Sequence, residues 1–264
     1  MTDNIDLIGQ AATGSKVAQL GLVHLAMTAG ESGAVRHIEA LIGAETWARL
    51  AAAGGGIDEH WALVRVLLAR TEFEISRCVL ANAEWYEGEA RRVLKLLVAL
   101  DDEDALQALL ELEEGDYPPH HAPDPRVHLN MQLASGGDLS ALASLCDEAL
   151  TLVSSGQSDP FEGLTAAELY ARLGSASGDM GHLRRLAGIL LERAKHEYHD
   201  GSTDLADSVT TEATVLLSIL VDTGDHSMAT WLTMLVNDSV RPAIAKAIQH
   251  RPTILKFIEP EGIC

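Results

Sequence analysis

HLNMQLASGGDLSALASLC (128–146), YARLGSASGDMGHLRRLAG (170–188) and LLSILVDTGDHSMATWLTM (216–234) each set a Gly-Asp pair between two apolar stretches, at Gly137, Gly178 and Gly224. Gly178 follows Gly137 by 41 positions, and Gly224 follows Gly178 by 46. LVHLAMTAGESGAVRHIEA (22–40) reads as an earlier copy, with Gly-Glu at Gly30 and Glu31. Counted from each anchor, Leu22, Leu129, Tyr170 and Leu216 precede it by eight. Val35, Leu142, Leu183 and Ala229 follow by five; Ile38, Leu145, Leu186 and Leu232 by eight; Ile42, Ala149, Leu190 and Val236 by twelve. Steps of three and four place these side chains on one helix face. The Gly ends one helix in a left-handed conformation, and the acid after it caps or charges the start of the next. Recurrence at this length predicts stacked helical hairpins, an all-α array of antiparallel helix pairs.

Composition agrees. Aromatic residues make up 4% of the 264-residue chain against 47% hydrophobic residues, and no Val/Ile/Thr-rich alternating run with hairpin signals occurs. Residues 5–12 read as a leading helix, 16–29 and 33–42 as the first hairpin, and Gly54, Gly55 and Gly56 as a break. Asp58 is expected to cap the next helix, Thr71 and Glu74 to form a capping box opening another, and Asp101 and Asp102 to mark a further turn. Four prolines, Pro118, Pro119, Pro123 and Pro125, interrupt helix within residues 115–128. The expected organisation is amino-terminal hairpins over 1–114, a Pro/His-rich connecting loop over 115–128, and carboxy-terminal repeats over 129–264 ending in closing helices.

The formal net charge of −20 disfavours nucleic acid and anionic membranes and favours a partner carrying basic residues. Cys78, Cys146 and Cys264 form no CxxC motif, a pattern expected of a reducing compartment, so the chain is read as cytoplasmic. The start carries no basic segment ahead of an apolar one, and no apolar window reaches bilayer-spanning length. No Walker loop, HExxH, GxSxG or dinucleotide-binding glycine pattern is present, so no catalytic residue and no cofactor is assigned.

AATGSKVAQLGLVHLAMTAGES (11–32) and TAAELYARLGSASGD (165–179) resemble the Sel-one-like branch of the tetratricopeptide-like repeats. Ala11, Ala12, Gly14, Ala18, Leu22 and Gly30, then Ala166, Ala167, Leu173 and Gly174, stand where that family places small residues and turns. The repeat lengths drift, and residues 115–128 have no counterpart in the family pattern. The resemblance implies an α-solenoid of helix pairs that holds partner proteins or peptides.

Three side-chain groups have chemical potential. Glu84, Trp85, Tyr86 and Glu87 form an aromatic, acidic patch suited to anchoring a partner; Trp85, with Trp47 and Trp61, equally suits a core position. Glu192, His196 and His199 share one helix face and have metal-ligand chemistry, though histidines also suit the negative end of a helix before Gly201. His120 and His121, with His128, Asp116 and Asp124 near, form a second set of donors in the proline-rich segment. The leading expectation is a protein- or peptide-binding scaffold with an acidic surface. The alternative is a helical accessory protein or enzyme with a His-based metal or small-ligand site. A third reading is a purely structural subunit of a homo-oligomer.

Overall fold

Each turn between helices is built from the residues the sequence puts there. The computed structural model describes residues 2–112 and 124–236. The helices are α1 (Thr2–Ala12), α2 (Lys16–Glu31), α3 (His37–Ala53), α4 (Ile57–Ser76), α5 (Leu80–Ala99) and α6 (Glu103–Glu111). They continue as α7 (Pro125–Ser135), α8 (Leu139–Ser154), α9 (Pro160–Ser175), α10 (Met180–His199), α11 (Thr203–Asp222), a 3-10 turn (His226–Met228) and α12 (Ala229–Val236). The described residues contain no strand. Consecutive helices pack on one another, as in α2 with α3, α4 with α5, and α10 with both α9 and α11.

The anchors behave as expected. Gly137, Gly178 and Gly224 take φ of 91°, 82° and 104°. The Asp138 carboxylate accepts from the Ser140 and Ala141 amides at 2.8 and 3.0 Å, and Asp179 accepts from His182 N–H at 2.8 Å. These contacts satisfy amides that the helix itself leaves unpaired. Asp102 does the same for Ala105 N–H at 2.9 Å.

Three local expectations are corrected. Gly30 lies inside α2, and the left-handed turn residue is Gly33, so the first copy is displaced by three and Val35 falls in the turn, 41% exposed. Asp58 sits in the first turn of α4 rather than at its cap, which is Gly56. Thr71 does not open a helix: its hydroxyl donates to Leu67 O at 3.0 Å within a continuous α4, and α5 begins at Leu80.

The larger regularity is a shift of 123 residues. Pro125 follows Thr2 by 123 (125 − 2), and the same interval separates the starts of α8 and α2, α9 and α3, α10 and α4, and α11 and α5. It also pairs the left-handed residues: Gly14 with Gly137, Gly33 with Gly156, Gly55 with Gly178, Cys78 with Gly201, and Asp101 with Gly224. Buried positions correspond as well, among them Leu41 and Leu164, Leu50 and Leu173, Leu67 and Leu190, and Leu97 and Leu220. The described chain thus repeats a pattern whose first five helices recur in register and whose sixth position, Glu103 at the start of α6, is matched by His226 at the start of the 3-10 turn before α12. The 41- and 46-residue intervals are two successive helix-pair steps within it.

Cys78 and Asp101 hold φ of 61° and 62° where the second copy uses glycine. A left-handed residue with a Cβ costs roughly 1–2 kcal/mol, less for Asp, and part of that is returned by the greater unfolded-state freedom of glycine. Cys78→Gly is therefore expected to stabilise the protein by about 1 kcal/mol, and Asp101→Gly by less. The midpoint of denaturant unfolding reads this directly; a lower midpoint for Cys78→Gly would contradict it.

The chain forms two compact units, Met1–Ala141 and Leu142–Cys264. Residues 125–128, expected in the connecting loop, are helical, and α7 packs on α3 within the first unit. In that unit Val64, Leu94, Leu97 and Ala105 make a buried cluster flanked by Trp61, Leu68 and Leu109. The turn after α1 meets the turn after α7. A Cβ on Gly14 would stand 2.7 Å from the Gly136 carbonyl carbon, and one on Gly137 would stand 2.8 Å from that of Thr13. The contact is reciprocal, because Thr13 and Gly136 are themselves related by the 123-residue shift. The Gln19 amide donates to Ser135 O at 3.1 Å beside it.

Candidate functional site

The residues singled out from sequence do not form one site. Tyr86 is buried, with the Arg70 guanidinium 4.6 Å from its ring centroid and donating to its hydroxyl. Trp85 is 36% exposed, edge-on to Tyr86 at 4.9 Å with Arg49 over its ring, while Glu84 is exposed and Glu87 half-buried. The four residues are therefore divided by burial: Tyr86 lies in the core, and Glu84 and Trp85 are exposed. Trp47 is also buried.

Glu192, His196 and His199 lie on α10 as the sequence places them, the histidines in its last turn. Glu192 is buried and accepts from the Lys195 ammonium at 2.8 Å. His120, His121 and Asp116 lie outside the described residues. Among the described residues no group of three His, Cys, Asp or Glu gathers in a metal-binding arrangement. Cys146 is a core residue, and burial, reinforced by Asp147, pushes its thiol up to about 12.

Two features went unread in the sequence. The first is a partly buried ion network present in both units. In the first, Arg49 grips Glu89 at 2.5 and 2.6 Å and Glu45 at 2.9 Å, and buried Arg70 lies 3.5 Å from Glu45 and 4.0 Å from Glu74. In the second, Arg172 holds Glu212 at 2.6 and 2.8 Å and Glu168 at 2.8 Å, while Arg193 bonds Glu168 at 2.6 Å and lies 3.8 Å from Glu197. Every member obeys the 123-residue shift. Each network fastens three consecutive helices, α3–α5 or α9–α11. These contacts tie neighbouring helices together.

Burial acts to raise the Glu168 carboxyl, yet Arg172 and Arg193 outweigh it and hold the group below the usual range. A lowered folded-state pKa contributes stability above the unfolded value, about 4.3, and that contribution disappears as pH falls through the folded value. Wild-type stability should therefore decline on acidification below about pH 4.3, and Glu168→Gln should flatten that decline while lowering stability at neutral pH. Urea midpoints measured at neutral and acid pH test it; an unchanged slope in the variant would show that other carboxylates govern acid unfolding.

The second feature is a groove in the first unit with a volume of about 710 Å³, running between α2 and α4 to the start of α6. Leu20, Val23, His24 and Met27 line it from α2, at the i, i+3, i+4, i+7 spacing of one helix face. Ile57, Trp61, Ala62 and Val66 line it from α4. Asp58, Asp102 and Asp104 contribute three carboxylates against the single guanidinium of Arg65. Trp61 donates its indole N–H to Asp102 at 3.1 Å, which fixes the ring at the groove. The floor is apolar and the lining net negative, a combination suited to a ligand with an apolar body and a positive group.

No family model matches the chain, and comparison with curated proteins and with solved structures gives no match either. No helix among the described residues is long and apolar enough to cross a membrane.

Proposed function

We propose that this chain is a protein- or peptide-binding helical repeat module whose acidic surface selects partners with basic residues. The observation that carries the reading is the groove between α2 and α4. These are first helices of successive helix pairs, the face on which an array of hairpins presents a concave surface. The groove joins apolar side chains and an indole to a net negative lining, and aromatic anchors of this kind concentrate binding energy. The resemblance of residues 11–32 and 165–179 to the tetratricopeptide-like superfamily supports the same reading, with an α-solenoid as its architecture. A net charge of −20 would speed the approach of a basic partner more than it sets final affinity.

Selection of a random peptide library against the immobilised protein tests the proposal. Selected sequences should combine Lys or Arg with an apolar residue, and their association rate should fall as salt rises. Ala62→Arg, which puts a long cation into the groove, should abolish their binding. Acidic or charge-indifferent selections, or peptides that bind Ala62→Arg undiminished, would overturn it.

A further inference from the structure

The two units treat equivalent positions differently, and the difference identifies a ligand group. Under the 123-residue shift, Trp61, Ala62, His24 and Asp102 of the groove correspond to Arg184, Arg185, Asp147 and Asp225. In the second unit both arginines are engaged within the chain. Arg184 donates from Nε to Asp225 at 2.9 Å, and Arg185 donates from Nε to Asp147 at 3.1 Å. The Asp225 carboxyl is shifted upward by burial, but the Ser227 hydroxyl and Arg184 more than reverse this and hold it below the usual range. The second unit thus spans the corresponding space between its helices with its own guanidinium groups.

In the first unit those cations are missing and the acid is retained. Ala62 replaces Arg185 and leaves room; Trp61 replaces Arg184 and presents an indole face. Asp102 uses one oxygen to cap Ala105 and the other to hold Trp61, one bond to each. An ionised carboxylate accepts about four hydrogen bonds, so it retains acceptor capacity for a further donor. Asp58 and Asp104 add to the negative field there, opposed by Arg65.

We propose that the groove of the first unit takes an arginine side chain of a partner peptide in the space that Arg185 fills in the second unit, its guanidinium against Trp61 and the Asp102 carboxylate. This rests on the peptide-binding reading and names its recognised group. Guanidinium suits the place better than ammonium, because a planar fork stacks on an indole while donating to a carboxylate, and a lysine presents only a compact charge.

The test uses the full chain and three small probes, the N-acetyl amides of arginine, lysine and citrulline. Binding is followed by NMR at the indole N–H of Trp61, assigned with Trp61→Phe. The arginine probe should shift that resonance saturably and more tightly than the lysine probe. Citrulline, equal in shape but uncharged, should leave it nearly unmoved. Asp102→Asn should weaken the arginine probe by about tenfold, the value of one hydrogen bond to a charged group. Ala62→Arg should abolish binding, and Ala62→Gln, a smaller obstruction, should weaken it; the indole resonances of each variant report whether it is folded. Equal responses to arginine and citrulline would overturn the arginine assignment and leave the groove as a binding site. Equal affinity for arginine in wild type and Asp102→Asn would also overturn it. If none of the probes moves the indole and no basic peptide selected from a library does so either, both the assignment and the groove reading fall.

Discussion

Arg70→Ala is expected to destabilise the protein by about 3–5 kcal/mol, the cost of removing one partner from a buried ion cluster. Arg70 is 1% exposed, and so is Glu74, which lies 4.0 Å from it; Glu45 lies 3.5 Å away on the neighbouring helix. Without the guanidinium, Glu74 retains Arg77 at 4.0 Å and an amide contact from Asn82 at 3.5 Å. The Tyr86 hydroxyl loses the donor it faces, and the Tyr86 ring loses the cation beside it. Arg70→Lys should recover only part of the loss, because one ammonium cannot reach two carboxylates and a phenol hydroxyl with the geometry of a planar fork. Arg193→Ala in the second unit should behave alike, since Glu168 and Glu197 are left in the same relation. A double-mutant cycle between Arg70→Ala and Glu74→Gln separates the pair from the general effect of truncation: the double variant should be less destabilised than the sum of the two single ones. Denaturant unfolding of the four proteins is the measurement, and simple additivity would mean that Arg70 and Glu74 do not act as a unit.

Much of the helical framework was legible in the sequence. Gly137, Gly178 and Gly224 take the left-handed turns their neighbours demand, and Asp138 and Asp179 cap the helices that follow, because these interactions are local and depend on adjacent residues. The Gly anchors alone give a period shorter than 123 residues. A search for Gly anchors passes over Cys78 and Asp101, which adopt the same conformation without being glycine, and it mistakes Gly30 for the turn residue three positions before Gly33. Charged positions reveal the longer repeat better than apolar ones do: Glu45, Arg49, Arg70, Glu74 and Glu89 recur as Glu168, Arg172, Arg193, Glu197 and Glu212. Leucine and alanine recur on every helix and identify none. The groove was less accessible. His24, Trp61 and Asp102 are far apart in the chain, and only the packing of α2 against α4 brings them to one lining. Glu84 adjoins Trp85 in sequence, whereas the acid that Trp61 bonds lies 41 residues away.

The second large effect is expected at the reciprocal glycine contact. Gly137→Ala should cost about 3 kcal/mol, the sum of a left-handed Cβ, roughly 1–2, and an overpacked contact, roughly 1–3. The residue holds φ at 91°, and the added carbon would stand 2.8 Å from the Thr13 carbonyl carbon and 3.1 Å from the Ala12 oxygen. Those atoms are backbone, so no side-chain rotation relieves the contact; the turn after α1 must move as a whole. Gly14→Ala should cost a similar amount by the mirrored route, since its Cβ would meet Gly136 backbone at 2.7 Å. Gly33 and Gly156 supply the control. They hold φ of 70° and 71°, but a Cβ at either meets nothing within 4 Å, so alanine there should cost about 1 kcal/mol from conformation alone. The difference between the two pairs isolates steric contact from backbone strain. Because Gly14 and Gly137 press on the same junction, displacing it once should make the second substitution cheaper, and Gly14→Ala/Gly137→Ala should fall short of the two single effects added. Thermal or urea unfolding of the single, double and control variants decides it. Equal losses at all four glycines would reduce the effect to conformation and remove the junction as a point of close packing.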